Sequence, residues 1–391
     1  MREVRVVLAS GAEPGELGLQ LRIAEGLEAI LISDNEVLVQ FGSRSHPSQM
    51  LRDTELTGIL GKIVGRLQEG PAGPVDLLSG IEPEHKAEAV KLIDDLRGKG
   101  ILTSTDTSPV DQYLAFSFTG ETRLAAAAVS LIGAGPIGAR IAETLLQHGI
   151  GSVRLLEGRE PDEVWHALVR SATGLGPTNV TSTPAMLRER LRRLGYAGVD
   201  VLASRVDDET VGRAVTSSDI TVVALEQPDI RICHLVNRHC VAAGKPWLHA
   251  ALDGGRGVTG PLFVPGVTAC YNDFRTLADA ADPSPQMARV HRRHALRVGA
   301  TSFSPGLPAH AEIVSGFVTL GVVHFLLTGT AYLLGRVLTV NFDRMLIDVE
   351  DVLKLPRCPV CGRQRSAYQP PFSAEVVTRA RVGDRDKTDG G

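Results

Sequence analysis

The segment AAAAVSLIGAGPIGARIAETLLQHGIGSVRLLEG, residues 125–158, constrains the fold of this chain more than any other stretch. An apolar run ends in a glycine turn, an amphipathic run follows, and a second apolar run closes the unit. This reads as strand, turn, helix, strand. The turn GAGPIG matches G-x-G-x-x-G. In such a loop Gly133 permits the tight turn, Gly135 lets backbone approach a phosphate, and Gly138 lets the helix pack on the strand. The amino end of the helix then offers N–H groups to an anion. The second strand ends at Glu157, where an acid would meet a ribose hydroxyl. Two readings stay open: a nucleotide site, or a Rossmann-type turn that holds no ligand.

Further alternation follows. The patterning predicts a helix over 185–195, a strand at VDVLAS, a helix at DETVGRAVT and a strand at DITVVAL. A helix over 230–243 and a strand at KPWLHAAL come next. Strands and helices in this alternation make a mostly parallel, doubly wound α/β sheet covered on both faces.

The amino-terminal part has a different plan. EAILIS and EVLVQFG flank a short polar turn and predict a hairpin, with QMLR at 49–52 as a third strand. Leu56, Ile59, Leu60, Ile63, Val64 and Leu67 recur at helical spacing. A short helix near Val75–Leu78 and a third helix after Pro83 follow, the latter with Ala87, Val90, Ile93 and Leu96 on its apolar side. ILTS then reads as a strand. Strands, three helices and a strand are the plan of a winged helix-turn-helix. Its third helix mixes His85, Lys86, Lys91, Arg97 and Lys99 with Glu82, Glu84, Glu88, Asp94 and Asp95. That makes no phosphate-facing stripe, so nucleic acid is not the expected partner. The net charge of −4 agrees. The expected division is a winged-helix domain over 1–103, a linker over 104–121, an α/β domain over 122–368 and a disordered tail over 369–391.

Residues 311–334 are apolar and glycine-rich, but they contain Glu312 and His324 and have no second span beside them. They read as a buried helix, and the protein as cytoplasmic with no membrane partner. The five cysteines are too few and too uneven for a disulfide framework. CPVCG at 358–362 is half of a metal knuckle, because C-x-x-C presents two thiolates to one tetrahedral ion. Cys233 and Cys240 share one face of a helix and read as core.

The segment from Asp219 to Asp273 resembles the ThiF-like, ubiquitin-activating-like superfamily. Asn237, Cys240, Gly244, Lys245, Pro246, Gly260, Pro265, Gly266 and Cys270 fall at that family's positions, and the resemblance extends over residues 124–364. It implies a ThiF-like fold and a structural zinc ion held by two knuckles. Here the first knuckle reads Cys270-Tyr-Asn-Asp273, so the implied ligands are Cys270, Asp273, Cys358 and Cys361, with His291 or His294 as alternatives to Asp273. A metal-free turn is the other reading. Activating members adenylate a carboxylate through cationic residues and an Asp for magnesium. This chain has Glu226-Gln227 at the Asp position, only Arg170 to stand for the family's Arg, and no Lys between Arg159 and Lys245. A charge developing on a phosphate needs cations placed in advance, so ATP chemistry on this chain is not the expectation.

A winged-helix unit joined to a ThiF-like domain ending in PRCPVCG resembles the cyclodehydratase partner proteins ("ocin-ThiF-like") of azole-forming peptide biosynthesis. Their amino-terminal unit is a RiPP recognition element. The resemblance implies that the chain binds the leader of a ribosomal precursor peptide for a separate YcaO cyclodehydratase. The implied contacts are Gln49, Met50, Leu51 and Arg52 on the edge strand, and Lys86, Val90 and Lys91 on the third helix. It leaves Gly133, Gly135, Gly138 and Glu157 as a vestigial nucleotide site, and allows a homodimer. A peptide-adenylating enzyme of the same two-domain plan is the alternative.

Overall fold

The structure, a computed structural model, describes residues 20–42, 48–117, 124–157, 183–226, 229–298 and 307–362. The chain divides into two compact units, Met1–Thr122 and Arg123–Gly391.

In the first unit β2 (Leu27–Ser33), β3 (Glu36–Phe41) and β4 (Ser48–Arg52) form an antiparallel sheet in that order, and β1 (Leu21–Ile23) pairs with β5 (Leu102–Ser104). Period-two alternation sets the register. Ala29, Val37, Val39 and Leu51 point into one core with Ile59, Leu60, Ile63, Val64 and Leu67 of α1 (Ile59–Glu69). Ala29 lies opposite Val39 and Val37 opposite Leu51, so a one-residue slip would turn all four out to solvent. Helices α2 (Pro74–Leu77) and α3 (Lys86–Gly98) complete the unit.

Two expectations change here. The buried residues of α3 are Ala89, Ile93 and Leu96, with Leu92 packed beside them, whereas Val90 is 40% exposed. The series Ala87, Val90, Ile93, Leu96 has a strict spacing of three, which drifts away from a helix of 3.6 residues per turn. Within the stretch expected as linker, Pro109–Ser117 forms α4. Ser108 accepts a hydrogen bond from the Asp111 N–H at 3.1 Å, a capping contact that the polar sequence concealed. Buried Gln112 accepts from the Glu25 N–H at 2.8 Å and ties this helix to the first unit.

The second unit is built on an eight-stranded sheet in the order β13-β12-β11-β10-β9-β6-β7-β8. The strands are β6 (Ala128–Ile132), β7 (Ser152–Leu156), β8 (Val199–Ala203), β9 (Ile220–Leu225), β10 (Trp247–Asp253), β11 (Arg256–Phe263), β12 (Arg336–Asn341) and β13 (Leu346–Asp351). β8, β7, β6, β9 and β10 run parallel. β11 to β13 add antiparallel pairs at one edge. All six residues of β9 are buried, as a strand covered on both faces must be. The helices are α5 (Pro136–Gln147), α6 (Thr183–Arg193), α7 (Asp208–Thr216), α8 (Ile230–Ala243), α9 (Tyr271–Ala281), α10 (Pro285–Val298) and α11 (Pro308–Thr328).

Local chemistry sets the boundaries. Asp207 accepts from the Thr210 N–H at 2.8 Å, and the Thr210 hydroxyl accepts from the Asp207 N–H at 2.9 Å, a reciprocal cap that starts α7. Asp229 caps α8 through the Arg231 N–H at 2.8 Å. Gly244 ends that helix in the left-handed region at φ 66°, and Pro246 leads into β10. The Gly-Lys-Pro motif therefore has a structural role here. Helix α11 has the length and composition to cross a membrane. Its Val314, Val318 and Val322 are fully buried, and Thr319 meets Thr144 of α5 at 2.7 Å. Packing against α5, β10 and β11 accounts for this buried side of the helix, while Leu320 is exposed.

Chain order reverses between β6 and β9. After β6 the chain lays β7 and β8 on one side, then returns to place β9 on the other. In doubly wound sheets the crevice at such a switch point, outside the carboxyl ends of the strands, is where ligands bind. Here those ends are Ile132 and Leu225.

Candidate functional site

The glycine loop occupies this switch point. Gly133 has φ +107°, and a Cβ there would lie 2.0 Å from the Ala224 carbonyl oxygen. A Cβ on Gly138 would lie 1.9 Å from the Gly133 carbonyl oxygen. Both glycines are thus required by backbone packing, whatever the loop binds. Gly135 is the extended residue that precedes α5.

Glu226, directly after β9, enters the same crevice. Its Oε1 accepts a hydrogen bond from the Ile137 N–H at 2.6 Å. Burial pushes this carboxyl up to about 7, with the charge of Glu157 adding to the effect. Glu157, just beyond β7, is also buried. On α5 and α6, Arg140 pairs with Glu312 at 2.7 Å, and Arg190 with Glu143 at 2.7 Å. Arg170 and Gln227 lie outside the described residues.

The second place is a candidate metal centre. Cys270, Asp273, Cys358 and Cys361 each point one ligand atom into a single cluster, all within 4.8 Å of one another. Cys270 Sγ lies 3.6 Å from Cys358 Sγ, and Cys361 Sγ lies 3.1 Å from Asp273 Oδ2. Two thiolates on one tetrahedral zinc stand about 3.8 Å apart, so the donors fit such an ion. Asp273 Oδ1 is buried and has no hydrogen-bond partner, which suits a carboxylate awaiting a cation. His291 and His294 are exposed on α10 and outside the cluster.

Several elements assemble this cluster. Cys270 is the residue before α9 and Asp273 lies in its first turn, so a C-x-x-D at a helix start presents both side chains on one side. Asn237 of α8 accepts from the Tyr271 N–H at 3.0 Å and holds that helix start in place. The Asn272 side chain reaches Cys358 Sγ at 3.5 Å. The Gly362 N–H bonds the Cys358 carbonyl at 3.0 Å and closes the second knuckle. The sequence flagged Asn237 only as a family match, and it did not flag Asn272. Cys233 and Cys240 are buried core residues whose thiols burial pushes up to about 12.

The third place is a groove in the first unit. Leu51 and Arg52 of β4, Asp53 to Glu55, Ile59 and Leu60 of α1, and Glu88, Leu92, Leu96 and Lys99 on or next to α3 line it. Glu88, Leu92, Leu96 and Lys99 follow one helical face. Lys86, Val90 and Lys91 are not among the lining residues. Lys86 and Val90 are exposed elsewhere on α3, and Lys91 is half-buried. Leu51 is 3% exposed, so its side chain serves the core and the groove floor. Among the described residues, β3 is the sole strand partner of β4. The Asp53 N–H donates to the Asn35 carbonyl, which puts the 37/51 and 39/49 pairs in hydrogen-bonded positions. Antiparallel alternation then turns the N–H and C=O of Met50 and Arg52 toward the open edge. The Gln49 side chain shares the core-side face with Leu51.

A doubly wound sheet with a glycine loop at its switch point and a Cys-rich knuckle beyond its antiparallel edge defines a ThiF-like Rossmann-type protein. Residues 185–360 match the ThiF family, and the chain carries a ThiF family domain. HesA of Leptolyngbya boryana is 26% identical over 276 residues, 70% of this chain and 90% of that protein. The sulfur carrier protein ThiS adenylyltransferase of Bacillus subtilis (strain 168) is 32% identical over 157 residues, 39% of this chain and 45% of that protein. Among solved structures, E. coli MccB with ATP superposes with a TM-score of 0.57 at 17% identity, covering 88% of this chain and all of MccB. A heterocyclase in complex with substrate and cofactor superposes with a TM-score of 0.55 at 16% identity, covering 90% of this chain and 40% of that one. At these identities the likeness to solved structures is one of fold.

Proposed function

We propose that this protein binds the leader of a ribosomally made precursor peptide and presents it to a separate YcaO cyclodehydratase, which forms azoline or azole rings from Cys, Ser or Thr. The observation that carries this reading is the open edge of β4 beside the groove lined by α3. An extended peptide can add to that edge as a further strand, its backbone pairing with the outward-facing N–H and C=O groups of Met50. Its side chains on one face then enter the groove, where Leu92 and Leu96 supply an apolar floor and Arg52, Glu88 and Lys99 a charged rim. The order of strands and helices in the first unit supports its reading as a winged-helix recognition element. The heterocyclase of similar fold supports the same theme. On this reading the protein works in the cytoplasm, and zinc is the ion held by Cys270, Asp273, Cys358 and Cys361, tying the chain after β11 to the chain after β13.

The test is a fluorescence-anisotropy titration of the full chain with a labelled cognate leader. The wild-type chain binds in the micromolar range or tighter. Met50→Pro removes an N–H that the β3 ladder does not use, so the fold tolerates it, while the added peptide strand loses a partner. No saturable binding by the wild-type chain refutes the reading.

A peptide-adenylating enzyme is the second reading, favoured by the fold shared with MccB and by the similarity to a ThiS adenylyltransferase. It predicts release of pyrophosphate from ATP in the presence of the precursor. The contact between Glu226 and α5 speaks against it.

A further inference from the structure

The glycine loop and the amino end of α5 would ordinarily offer a cluster of N–H groups to a phosphate. In this chain several of those groups are missing or engaged, above all the one that Glu226 takes. Pro136, the first helical residue, has no N–H. The Ala139 N–H bonds the Gly135 carbonyl at 2.7 Å. The Gly133 N–H bonds the Leu156 carbonyl at 3.0 Å, inside the sheet. The Ile137 N–H, which faces the crevice, is taken by Glu226 at 2.6 Å. A carboxyl group is therefore already seated at the helix end, and it belongs to the protein.

We infer that Glu226 is the residue that closes this glycine loop to nucleotide phosphates: its carboxyl group fills the place a phosphate would take at the amino end of α5. Three observations support the assignment. Glu226 is 3% exposed, so the contact is built into the core and is not a surface encounter. It immediately follows β9, whose partner β6 leads into the loop, so the sheet itself delivers the carboxyl group to the helix end. Glu157 stands close enough for its charge to act on Glu226. An incoming phosphate would find a carboxyl group in its place, and it would have to break a short hydrogen bond to enter.

The closure has a simple stereochemical basis. Glutamate has one methylene more than the aspartate that the activating pattern places here. That extra length lets the carboxyl group span the crevice and reach the helix. The inference stands apart from leader binding, because a chain that failed to bind any leader would still hold its loop closed.

The experiment is equilibrium dialysis of the full chain against radiolabelled ATP with magnesium, with thermal melting as a check of folding. The wild-type chain and Glu226→Gln, which keeps an acceptor for the Ile137 N–H, show no saturable binding at millimolar ATP. Glu226→Ala and Glu226→Asp gain affinity by about tenfold or more, the scale of one charge-assisted hydrogen bond. Two variants are used because the alanine leaves a cavity and can lower the melting point, whereas aspartate keeps the charge and withdraws it from the helix. Equal ATP binding by the wild-type chain and the two opened variants overturns the inference, as does a folded Glu226→Asp that binds no ATP. Leader affinity measured on the same samples separates this outcome from any failure of the leader-binding reading.

Discussion

Cys270 and Cys358 are 88 residues apart in the chain, yet their sulfur atoms stand 3.6 Å apart. They belong to two knuckles, one at the start of α9 and one after β13, and Asp273 and Cys361 complete the cluster. A bound ion would fasten the last described segment of the second unit to its core. Purified protein is therefore expected to contain about one zinc per chain by atomic emission, in keeping with a four-donor site. Chelation lowers the melting temperature, and Cys358→Ser abolishes the metal content. Asp273→Cys restores the usual Cys₄ set and retains the ion. A metal-free wild-type protein of unchanged melting temperature after chelation contradicts the zinc assignment.

Stability should respond to pH through Glu226. Its carboxyl is held near 7 in the folded chain against an ordinary 4.5, so the folded state binds this proton more tightly than the unfolded state. Its contribution is fully present below about pH 4.5 and is lost as pH rises through 7. The difference is on the order of 3 kcal/mol. His249 acts in the opposite sense, since burial lowers it to about 4 and its contribution is lost on acidification. The comparison that isolates Glu226 is with Glu226→Gln: the variant is the more stable of the two at pH 8, and this advantage shrinks by pH 5. Urea melts at both values measure it, and a difference that does not change with pH would count against a buried, proton-binding Glu226.

Gly138 offers a test of the loop as architecture. The Cβ of Gly138→Ala would sit 1.9 Å from a backbone oxygen, which cannot rotate aside as a flexible side chain can. The substitution should cost about 3 kcal/mol, the upper range for overpacking. A chemical denaturation curve reads it without any ligand. A near-neutral result would show that the glycine is dispensable for packing.

The groove in the first unit should discriminate between neighbouring positions on α3. Leu92→Glu places a charge on the apolar floor and should weaken leader binding about tenfold or more. Lys91→Ala and Lys86→Ala, outside the lining, should leave affinity within about twofold, below the scale of a single polar contact. The reverse ranking in an anisotropy titration would move the peptide to another face of the helix.

Much of this was legible in the chain itself. The strands and helices from Ala128 to Asp253 lie within a few residues of their predicted positions, because buried parallel strands are continuous apolar runs and the caps Asp207, Asp229 and Gly244 mark helix ends locally. The hairpin Leu27–Phe41 was equally plain. The face of α3 was not: apolar residues at a strict spacing of three pointed to Ala87 and Val90, and only packing selected Ala89 and Leu92. The α4 helix was hidden in a polar stretch whose cap, Ser108, has a local signature too short to stand out.

The sequence by itself determined the order of elements, the glycine loop and the Cys358/Cys361 half-knuckle, because spacing along the chain encodes helices, strands and knuckles; Cys270 and Asp273 entered through the family resemblance, with His291 and His294 as open alternatives. The tertiary structure decided what those parts meet. It set Cys270 against Cys358, removed His291 and His294 from the cluster, and aimed Glu226 at the Ile137 N–H. Each of these depends on the strand order that places β9 beside β6 and on the fold that brings distant segments within a few ångströms. No local pattern records contacts of that kind.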